Sequence, residues 1–425
     1  MPVAVFAIIG FALFAISAPI FIAILVPTIV SFEAFGPGIP STVLVQKMMQ
    51  GINKFSLLAI PLFIFAADII ARGQIGERLL KLVESMIGHI TGGVAITTAV
   101  ACALFGAMSG IGAAAVVSIG PIVYPTLIRQ GYSRGFTVGL ILSSSTLAML
   151  VPPGVAMILY SLQTMSSVSS VFLAGLGAGI VFTALLAAYS YVYARILRIG
   201  RQEKASWRER MESLWRSGWA LGLPVIIFGG IYSGTFTPTE AAAGACVYAM
   251  FVETLIYRQL RFRELFEISS ASATVIAMLL ILITAGSAMT YFLTIENVPQ
   301  AISGTMEGST VFTVMLFINA LFLVAGMIVD PNSAIIVLTP LIFPVAEALN
   351  VDPVHLGAVI VLNVAVGIIS PPFGLNLFIG IATFKVPYWE VVKSVWPFII
   401  VGLVALAIVT YVPDLVLWLP RLYRP

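Results

Sequence analysis

The stretch that decides the fold is Gly326-Met327-Ile328-Val329-Asp330-Pro331-Asn332-Ser333, which interrupts an apolar run from about residue 311 to residue 349. A membrane helix cannot continue through Asp330 and Pro331, because proline removes a backbone donor and a carboxylate at the bilayer centre costs about 2.5–3.5 kcal/mol. Non-helical backbone is tolerated at that depth only where protein or a water-filled cavity covers it. The stretch therefore predicts a re-entrant helical hairpin with Asp330 at its buried tip. An ionisable residue in such a place marks a candidate functional site.

Composition places the chain in a membrane. Of its 425 residues, 60% are hydrophobic and only 9% are charged, which excludes a soluble globular domain of this length. Apolar runs of about 20 residues predict spanning helices and exclude the alternating pattern of an outer-membrane barrel. Cys102 and Cys246 lie singly inside apolar segments, so no disulfide framework is expected. The net charge of +3 gives no indication of a nucleic-acid partner, and the predicted surroundings are membrane lipid.

Apolar crossings are predicted along the whole chain. They lie near residues 3–30, 54–72, 136–160, 170–194, 217–233, 240–257, 267–291, 354–380 and 389–412. Two longer segments, about 93–128 and 311–349, are interrupted near their middles and are predicted to be hairpins that enter and leave on one side. The first crossing is expected to be a single retained helix, because it is too long for a signal-peptide core. Residues 74–90 have one apolar and one charged face, which predicts a helix lying in the membrane interface.

Basic residues predict the orientation of the chain. The connection from Arg195 to Arg216 carries seven arginines and lysines, and short basic loops stay in the cytoplasm. Counting crossings from this loop places the other basic loops on the same side. The count predicts a cytoplasmic N-terminus, an external C-terminus and two hairpins that enter from opposite faces.

An internal repeat is the strongest feature of the sequence. Pro121, Pro125, Pro152 and Pro153 recur as Pro340, Pro344, Pro371 and Pro372, each displaced by 219 positions. The same displacement pairs the interfacial helix at 74–90 with the segment around 293–309. Because the basic loops give the halves opposite orientations, we predict an inverted-topology repeat, an architecture of secondary transporters whose sites lie at broken helices.

Each half combines a hairpin tip with a helix broken at two prolines. The first tip contains Ser109-Gly110 and the first break contains Pro152-Pro153, matched in the second half by Asp330 and by Pro371-Pro372. Proline frees carbonyl oxygens one turn earlier, and freed carbonyls, hydroxyls and a carboxylate suit a hard cation. Helix N-termini suit anionic groups. The alternative is that the prolines merely kink the helices and nearby serines bond back to carbonyls.

Other polar residues are expected to be structural. Thr237-Pro238-Thr239-Glu240 has the pattern of a capping box. Asp68 precedes Arg72 by four residues and is expected to pair with it. His355 lies close to a helix start and is expected to be structural, with a role in gating as the alternative.

Four stretches carry a resemblance to a known family. They are Ser56-Leu-Leu-Ala-Ile-Pro-Leu-Phe-Ile-Phe-Ala66, Phe105-Gly-Ala-Met-Ser-Gly110, Gly234-Thr-Phe-Thr-Pro-Thr-Glu-Ala-Ala-Ala243 and Ser370-Pro-Pro-Phe-Gly-Leu-Asn-Leu-Phe378. With them the chain resembles, over nearly its whole length, the large membrane subunit of tripartite ATP-independent periplasmic (TRAP) transporters. The resemblance implies an all-α, elevator-type importer of an organic acid in the bacterial inner membrane, with a periplasmic C-terminus. It also implies sodium ions as the coupling ion and two partners, a small four-helix membrane subunit and a soluble periplasmic substrate-binding protein.

The resemblance also implies site residues. Sodium ions are expected beside the tips and the breaks, at Ser109, Leu150, Pro152, Asp330, Asn332, Gly367 and Ser370. The substrate, an organic anion, is expected to contact Ser109, Gly110, Ile111, Ser144, Ser145, Gly154, Asn363 and Asn376. Where the family's first tip and first break often have later serines, this chain has Ile111 and Gly154. The missing hydroxyls predict a smaller or less polar carboxylate than a hydroxylated sugar acid.

Five segments follow from this interpretation. They are 1–90 (first scaffold helices and interfacial arm helix), 91–170 (first hairpin and broken helix), 171–309 (scaffold helices with the basic loop 195–216 and a second arm helix), 310–385 (second hairpin and broken helix) and 386–425 (C-terminal helix). The alternatives are a stand-alone sodium/dicarboxylate or citrate-type carrier and, more remotely, a membrane-embedded enzyme. The enzyme is disfavoured because the chain has two histidines and lacks His-Glu-x-x-His and Gly-x-Ser-x-Gly motifs.

Overall fold

The fold is a bundle of helices. The computed structural model describes residues 2–35, 38–306 and 308–423, and every regular element in these ranges is helical. Nine helices within them are long and apolar enough to cross a membrane. The prediction of an all-α membrane protein is confirmed.

The N-terminal run differs from its prediction. The helices of the first segment are α1 (Pro2–Ala15), α2 (Ile20–Phe35), α3 (Ser41–Ile52), α4 (Ala59–Arg72) and α5 (Ile75–Ile87). The single crossing expected at 3–30 is therefore wrong: α1 and α2 are two helices that pack against each other. Ser17 has a positive φ of 61° and Pro19 has no N–H to donate, so α1 ends before them, at Ala15. At about 1.5 Å per residue, neither helix alone matches a hydrocarbon core of about 30 Å.

One polar contact of α4 joins segments that are distant in sequence. The expected pairing of Asp68 with Arg72 is not among the ion pairs of the described residues. Asp68 instead accepts a hydrogen bond of 2.5 Å from the hydroxyl of Ser272. The amphipathic α5 forms as predicted, and it packs on α6 (Gly93–Ser109) and α12 (Trp207–Pro224).

The first predicted hairpin is a pair of helices joined by a short turn, and a broken helix follows it; that the hairpin enters and leaves on one side stays a prediction. They comprise α6 (Gly93–Ser109), α7 (Gly112–Arg129), α8 (Arg134–Ser145), α9 (Leu147–Leu150) and α10 (Val155–Thr164). A turn of two residues separates α6 from α7, and the two arms pack against each other. The chain bends by 41° where the α8–α9 stretch meets α10. Prolines at this bend leave the carbonyls one turn earlier without a helical donor.

The middle of the chain contains both long and short helices. They are α11 (Val168–Ile196), α12 (Trp207–Pro224), α13 (Gly230–Tyr232), α14 (Pro238–Phe251), α15 (Phe262–Ile295) and α16 (Val298–Thr305). The basic loop predicted at 195–216 is shorter than expected, because Ser206 and Glu209 form a capping box that starts α12 at Trp207. The capping box predicted at Thr237 and Glu240 is confirmed.

The second half repeats the pattern of the first. Its helices are α17 (Val311–Ile328), α18 (Pro331–Ala348), α19 (Pro353–Gly367), α20 (Leu375–Phe384), α21 (Tyr388–Tyr411) and α22 (Asp414–Leu422). The C-terminal segment contains two helices where one was expected, since Pro413 separates α21 from α22. His355 bonds through Nε2 to the carbonyl of Val409 at 2.8 Å, which fits the structural role expected for it.

Corresponding helices in the two halves are displaced by the same number of positions as the prolines. The two arms after the tips, α7 and α18, start at residues 112 and 331 and end at residues 129 and 348, so both ends are displaced by 219. Both helices that follow the breaks are ten residues long. The opposite orientation of the two halves stays a prediction.

Candidate functional site

The first tip lies against the first break. Gly110 ends α6 with a left-handed φ of 62°, and its N–H donates to the carbonyl of Gly106 at 2.9 Å. A Cβ placed on Gly110 would lie 2.0 Å from the carbonyl oxygen of Pro153, so only glycine fits this approach. The hydroxyl of Ser109 is fully buried and has no hydrogen-bond partner among the described residues. An unpartnered buried hydroxyl has capacity for a further ligand.

The second tip is built around a helix cap. Asp330 starts α18 and is half-buried. Its Oδ1 accepts hydrogen bonds from the N–H groups of Asn332 and Ser333, both at 3.1 Å, and its Oδ2 accepts one from the Ser333 hydroxyl. A carboxylate has about four acceptor positions. Asp330 therefore caps the helix and still retains capacity for one further ligand.

The second tip also packs closely on the second break. A Cβ placed on Gly367, the last residue of α19, would lie 2.7 Å from the Cα of Gly326 in α17. The carbonyl of Gly367 accepts the N–H of Ser370 at 2.8 Å, and the Ser370 hydroxyl donates to the carbonyl of Val366 at 2.8 Å. The Pro371–Pro372 bond is cis, as is the Pro152–Pro153 bond of the first break. Gly367 and Ser370, two of the predicted sodium ligands of the second half, thus lie in one closely packed turn.

Both tips and both breaks meet at one central cavity of about 140 Å³. It is lined by Ile64, Gly110, Ile111, Gly112, Ala113, Met149, Val155, Ala156, Val275, Leu279, Asp330, Pro331, Asn332, Ile368, Leu375 and Asn376. Asp330 is the one ionisable side chain among these described lining residues. The helices α4 and α15 contribute only apolar side chains to the wall. The cavity is therefore small and mostly apolar, with its polar groups at the tips and at Asn376.

Four helix N-termini converge on this cavity. The starts of α7, α10, α18 and α20 all contribute lining residues. The starts of α7, α10 and α20 have no side-chain cap, while α18 is capped by Asp330. The first N–H groups of a helix have no partner within it, and the helix dipole makes this end positive. The cavity therefore favours an anionic group, as phosphate- and carboxylate-binding helix ends do.

One hydrogen bond joins the two broken helices beside the cavity. Asn376 donates from Nδ2 to the hydroxyl oxygen of Ser145 at 3.0 Å, and both residues are fully buried. The Ser145 hydroxyl in turn donates to the carbonyl of Leu142 at 2.7 Å. The Oδ1 atom of Asn376 has no partner among the described residues. It is free to contact a ligand from the cavity side of the helix.

The predicted site residues separate into two groups. Gly110, Ile111, Asp330, Asn332 and Asn376 line the cavity. The others are buried and do not line the cavity, and they lie in the tips, the breaks and the helices before the breaks: Ser109, Ser144, Ser145, Leu150, Pro152, Gly154, Asn363, Gly367 and Ser370. Their roles as ligands of sodium or substrate stay predictions.

Two buried polar features were not predicted. Asn363 donates to Oδ1 of Asn319 at 2.8 Å, and Asn319 donates to the hydroxyl of Thr410 at 3.0 Å, so these residues form a polar cluster between α17, α19 and α21. The hydroxyl of Ser143 is fully buried and unpartnered within the described residues. The run of serines before the two prolines is the sequence feature that could have identified Ser143 as a buried polar residue near the break. Nothing local in the sequence connects Asn319 with Thr410.

Paired tips and paired breaks around a central cavity define the class of the protein, a multi-pass membrane transporter. The chain belongs to the family described as Tripartite ATP-independent periplasmic transporter, DctM component, which it matches over residues 7–415. The predicted resemblance is confirmed. Proteins similar to this chain are large permease proteins and not enzymes, so the enzyme alternative is excluded.

Three relatives illustrate the similarity. The chain is 40% identical over 391 residues to the ectoine TRAP transporter large permease protein TeaC of Halomonas elongata, and the match covers 91% of each chain. It is 40% identical over 387 residues to the ectoine/5-hydroxyectoine TRAP transporter large permease protein UehC of Ruegeria pomeroyi, covering 91% of this chain and 90% of that one. It is 36% identical over 411 residues to the C4-dicarboxylate TRAP transporter large permease protein DctM of Rhodobacter capsulatus, covering 93% of each.

A solved structure shares the fold. The YdaH transporter of Alcanivorax borkumensis superposes with a TM-score of 0.67 and covers 89% of each chain. Its sequence identity to this chain is 14%, so the likeness concerns the fold alone.

Proposed function

We propose that this large permease imports a small organic acid by sodium-coupled, elevator-type transport. The observation that carries the proposal is the convergence of four helix N-termini and one carboxylate, Asp330, on a single cavity. Helix N-termini attract an anion, while the carboxylate repels it. A cation beside Asp330 resolves this conflict.

The electrostatic conflict gives a physical basis for coupling. Two like unit charges 4 Å apart at an effective dielectric constant of 20 repel by about 4 kcal/mol. A substrate carboxylate that enters the cavity beside ionised Asp330 meets a repulsion of this order. A sodium ion held by Asp330 and neighbouring carbonyls cancels it, so the anion binds tightly only after sodium. Each sodium ion that crosses a potential of 100 mV supplies about 2.3 kcal/mol for uptake.

The cavity lining supports a small and partly apolar substrate. Ile111 places an aliphatic side chain on the wall, and Ile64, Met149 and Leu375 add apolar surface. A volume of about 140 Å³ suits a small molecule better than a large polyhydroxylated one. The relatives named for ectoine and C4-dicarboxylate transport agree with a small carboxylic acid.

The apolar wall also supports an elevator movement. Ile64 of α4 and the pair Val275 and Leu279 of α15 face the tips across the cavity. Hairpins that slide past an apolar surface break no polar contacts there. We therefore assign α4 and α15 to the fixed scaffold, and both hairpins with both broken helices to the moving part.

Uptake into proteoliposomes tests the proposal. The chain is reconstituted with the small four-helix membrane subunit and the periplasmic substrate-binding protein that the proposal requires. The expected result is uptake of a small carboxylic acid that depends on both partners and on an inward sodium gradient. A potassium gradient of the same size is expected to give none. Uptake without the partners would favour a stand-alone carrier, and preference for a sialic-acid-like substrate would contradict the substrate assignment.

A further inference from the structure

A basic pocket lies where the start of α6 meets the end of α11. It has a volume of about 340 Å³, and its lining includes Thr91, Tyr191, Arg195, Arg198 and Arg201. No acidic residue lines it. All three arginines are exposed, and none belongs to an ion pair in the described part of the chain. The pocket therefore presents three positive charges without a negative partner.

An apolar groove lies further along the same two helices. It has a volume of about 500 Å³ between α6, α11 and the end of α12 with the turn that follows it. Leu104 and Ala107 of α6 face Leu176 and Ile180 of α11, and Phe228 closes the third side. The lining is almost entirely apolar, and Ile180 is half exposed. In a bilayer such an open groove is filled by hydrocarbon.

The pocket and the groove are two ends of one surface. On α11, the groove residue Ala187 is followed by Tyr191 and Arg195 of the pocket at spacings of four, which places all three on one helix face. Thr91 of the pocket lies two residues before α6, and Leu104 of the groove lies on that helix. Leu176 and Ala187 lie about 16 Å apart along the helix axis. Half of a hydrocarbon core of about 30 Å is about 15 Å, so the groove has the depth of one leaflet.

We propose that this surface binds one anionic glycerophospholipid, with its phosphate at Arg195, Arg198 and Arg201 and an acyl chain along α6 and α11. A phospholipid combines a phosphate with hydrocarbon one leaflet deep, and the surface combines a basic pocket with a groove of that depth. Arginines suit phosphate because the guanidinium fork donates two parallel hydrogen bonds. Basic pockets between membrane helices bind anionic headgroups in this manner. The predicted cytoplasmic position of the basic loop places the lipid in the inner leaflet.

Native mass spectrometry of the delipidated full chain tests the site. Phosphatidylglycerol is added in one arm, phosphatidylcholine in a second and inorganic phosphate in a third. The expected result is one tightly retained phosphatidylglycerol, at least tenfold less phosphatidylcholine, and no competition by phosphate. Equal retention of the two lipids, or displacement of phosphatidylglycerol by phosphate, would overturn the proposal.

A matched pair of variants separates the site from general charge. Arg195→Gln, Arg198→Gln and Arg201→Gln together remove three charges from the pocket. Arg258→Gln, Arg261→Gln and Arg263→Gln remove three exposed charges from the connection before α15 and from its first turn. The first triple variant is expected to lose phosphatidylglycerol retention about tenfold and the second to keep it. Equal loss in both would overturn the proposal.

Photocrosslinking identifies the occupant of the groove. Benzoylphenylalanine at Ile180, in protein extracted from native membranes, is expected to give a lipid adduct. A polypeptide adduct instead would show that a protein, and not a lipid, occupies the groove.

Discussion

Asn376 donates a hydrogen bond of 3.0 Å to the hydroxyl of Ser145, 231 positions earlier in the chain. The bond joins the helix after the second break to the helix before the first break. Because Asn376 also lines the cavity, the two halves of the chain are connected at the site where the ligand is expected. The relative position of the two broken helices thus depends on a polar contact beside the ligand.

Ser145→Ala tests this connection. The substitution leaves Nδ2 of Asn376 buried without its partner, which costs about 1–3 kcal/mol. We expect a lower unfolding midpoint and weaker substrate binding. Ser161→Ala is the matched control, because the Ser161 hydroxyl donates only to Met157 in its own helix at 2.9 Å. Substrate binding that falls equally in both variants would show that the connection has no special role.

Gly110→Ala tests the contact between the first tip and the first break. The new methyl group would collide with the Pro153 carbonyl, and the left-handed backbone adds strain of about 1–2 kcal/mol. Gly131→Ala is the control, since Gly131 also has a positive φ, of 93°, but no atom within 4 Å of its added Cβ. We expect both variants to be destabilised in thermal unfolding, and only Gly110→Ala to abolish uptake. Normal uptake by Gly110→Ala would show that transport does not need the close contact between Gly110 and Pro153.

Glu253→Gln tests how the arm helix α5 is anchored. The fully buried Glu253 lies in the helical segment Val252–Ile256 that follows α14. It accepts N–H groups from Gln74 at 3.1 Å and Ile75 at 2.9 Å, and so caps the start of α5. Hydrogen bonds to a charged group contribute about 1.5–3 kcal/mol each, so losing the charge weakens both. We expect amide exchange at residues 74–78 to accelerate about tenfold, which corresponds to about 1.4 kcal/mol.

Glu264→Gln is the control for the anchor. Glu264 accepts the N–H of Arg261 at 2.6 Å, a contact at the start of its own helix α15 and not with α5. Its substitution is expected to leave exchange at residues 74–78 unchanged. If Glu253→Gln also leaves this exchange unchanged, packing alone holds the arm helix.

Local chemistry made the tips and breaks predictable. Pro152, Pro331 and Pro371 lack the donor that a helix needs, so the sequence indicates each interruption to within a few residues. Thr237 and Glu240 were recognisable as a capping box for the same reason, because all their partners lie within one turn. The family resemblance then connected these interruptions with a transport site.

Contacts between distant segments were not predictable. Asp68 had a sequence neighbour of opposite charge, yet packing of α4 on α15 gave it Ser272, 204 positions away. Glu253 lies 178 positions from Ile75, and no helical spacing relates them. The break at Ser17 was missed because its neighbours are as apolar as a spanning helix, so only backbone geometry reveals the turn.

Asp330 and Asp352 offer a matched pair for the central claim. Each carboxylate caps a helix whose first residue is proline, and each accepts two backbone N–H groups. Asparagine caps helices about as well as aspartate, so Asp330→Asn and Asp352→Asn remove a charge with little loss of the cap. Only Asp330 lines the central cavity.

The most direct measurement is the thermal unfolding midpoint of the purified protein in sodium and in potassium, for the wild type and these two variants. A bound ion stabilises the folded state by about 2.7 kcal/mol at one hundred times its dissociation constant. The account predicts a higher midpoint in sodium for the wild type and Asp352→Asn, and a much smaller rise for Asp330→Asn. A wild-type midpoint that ignores sodium, or a full sodium shift in Asp330→Asn, would contradict it.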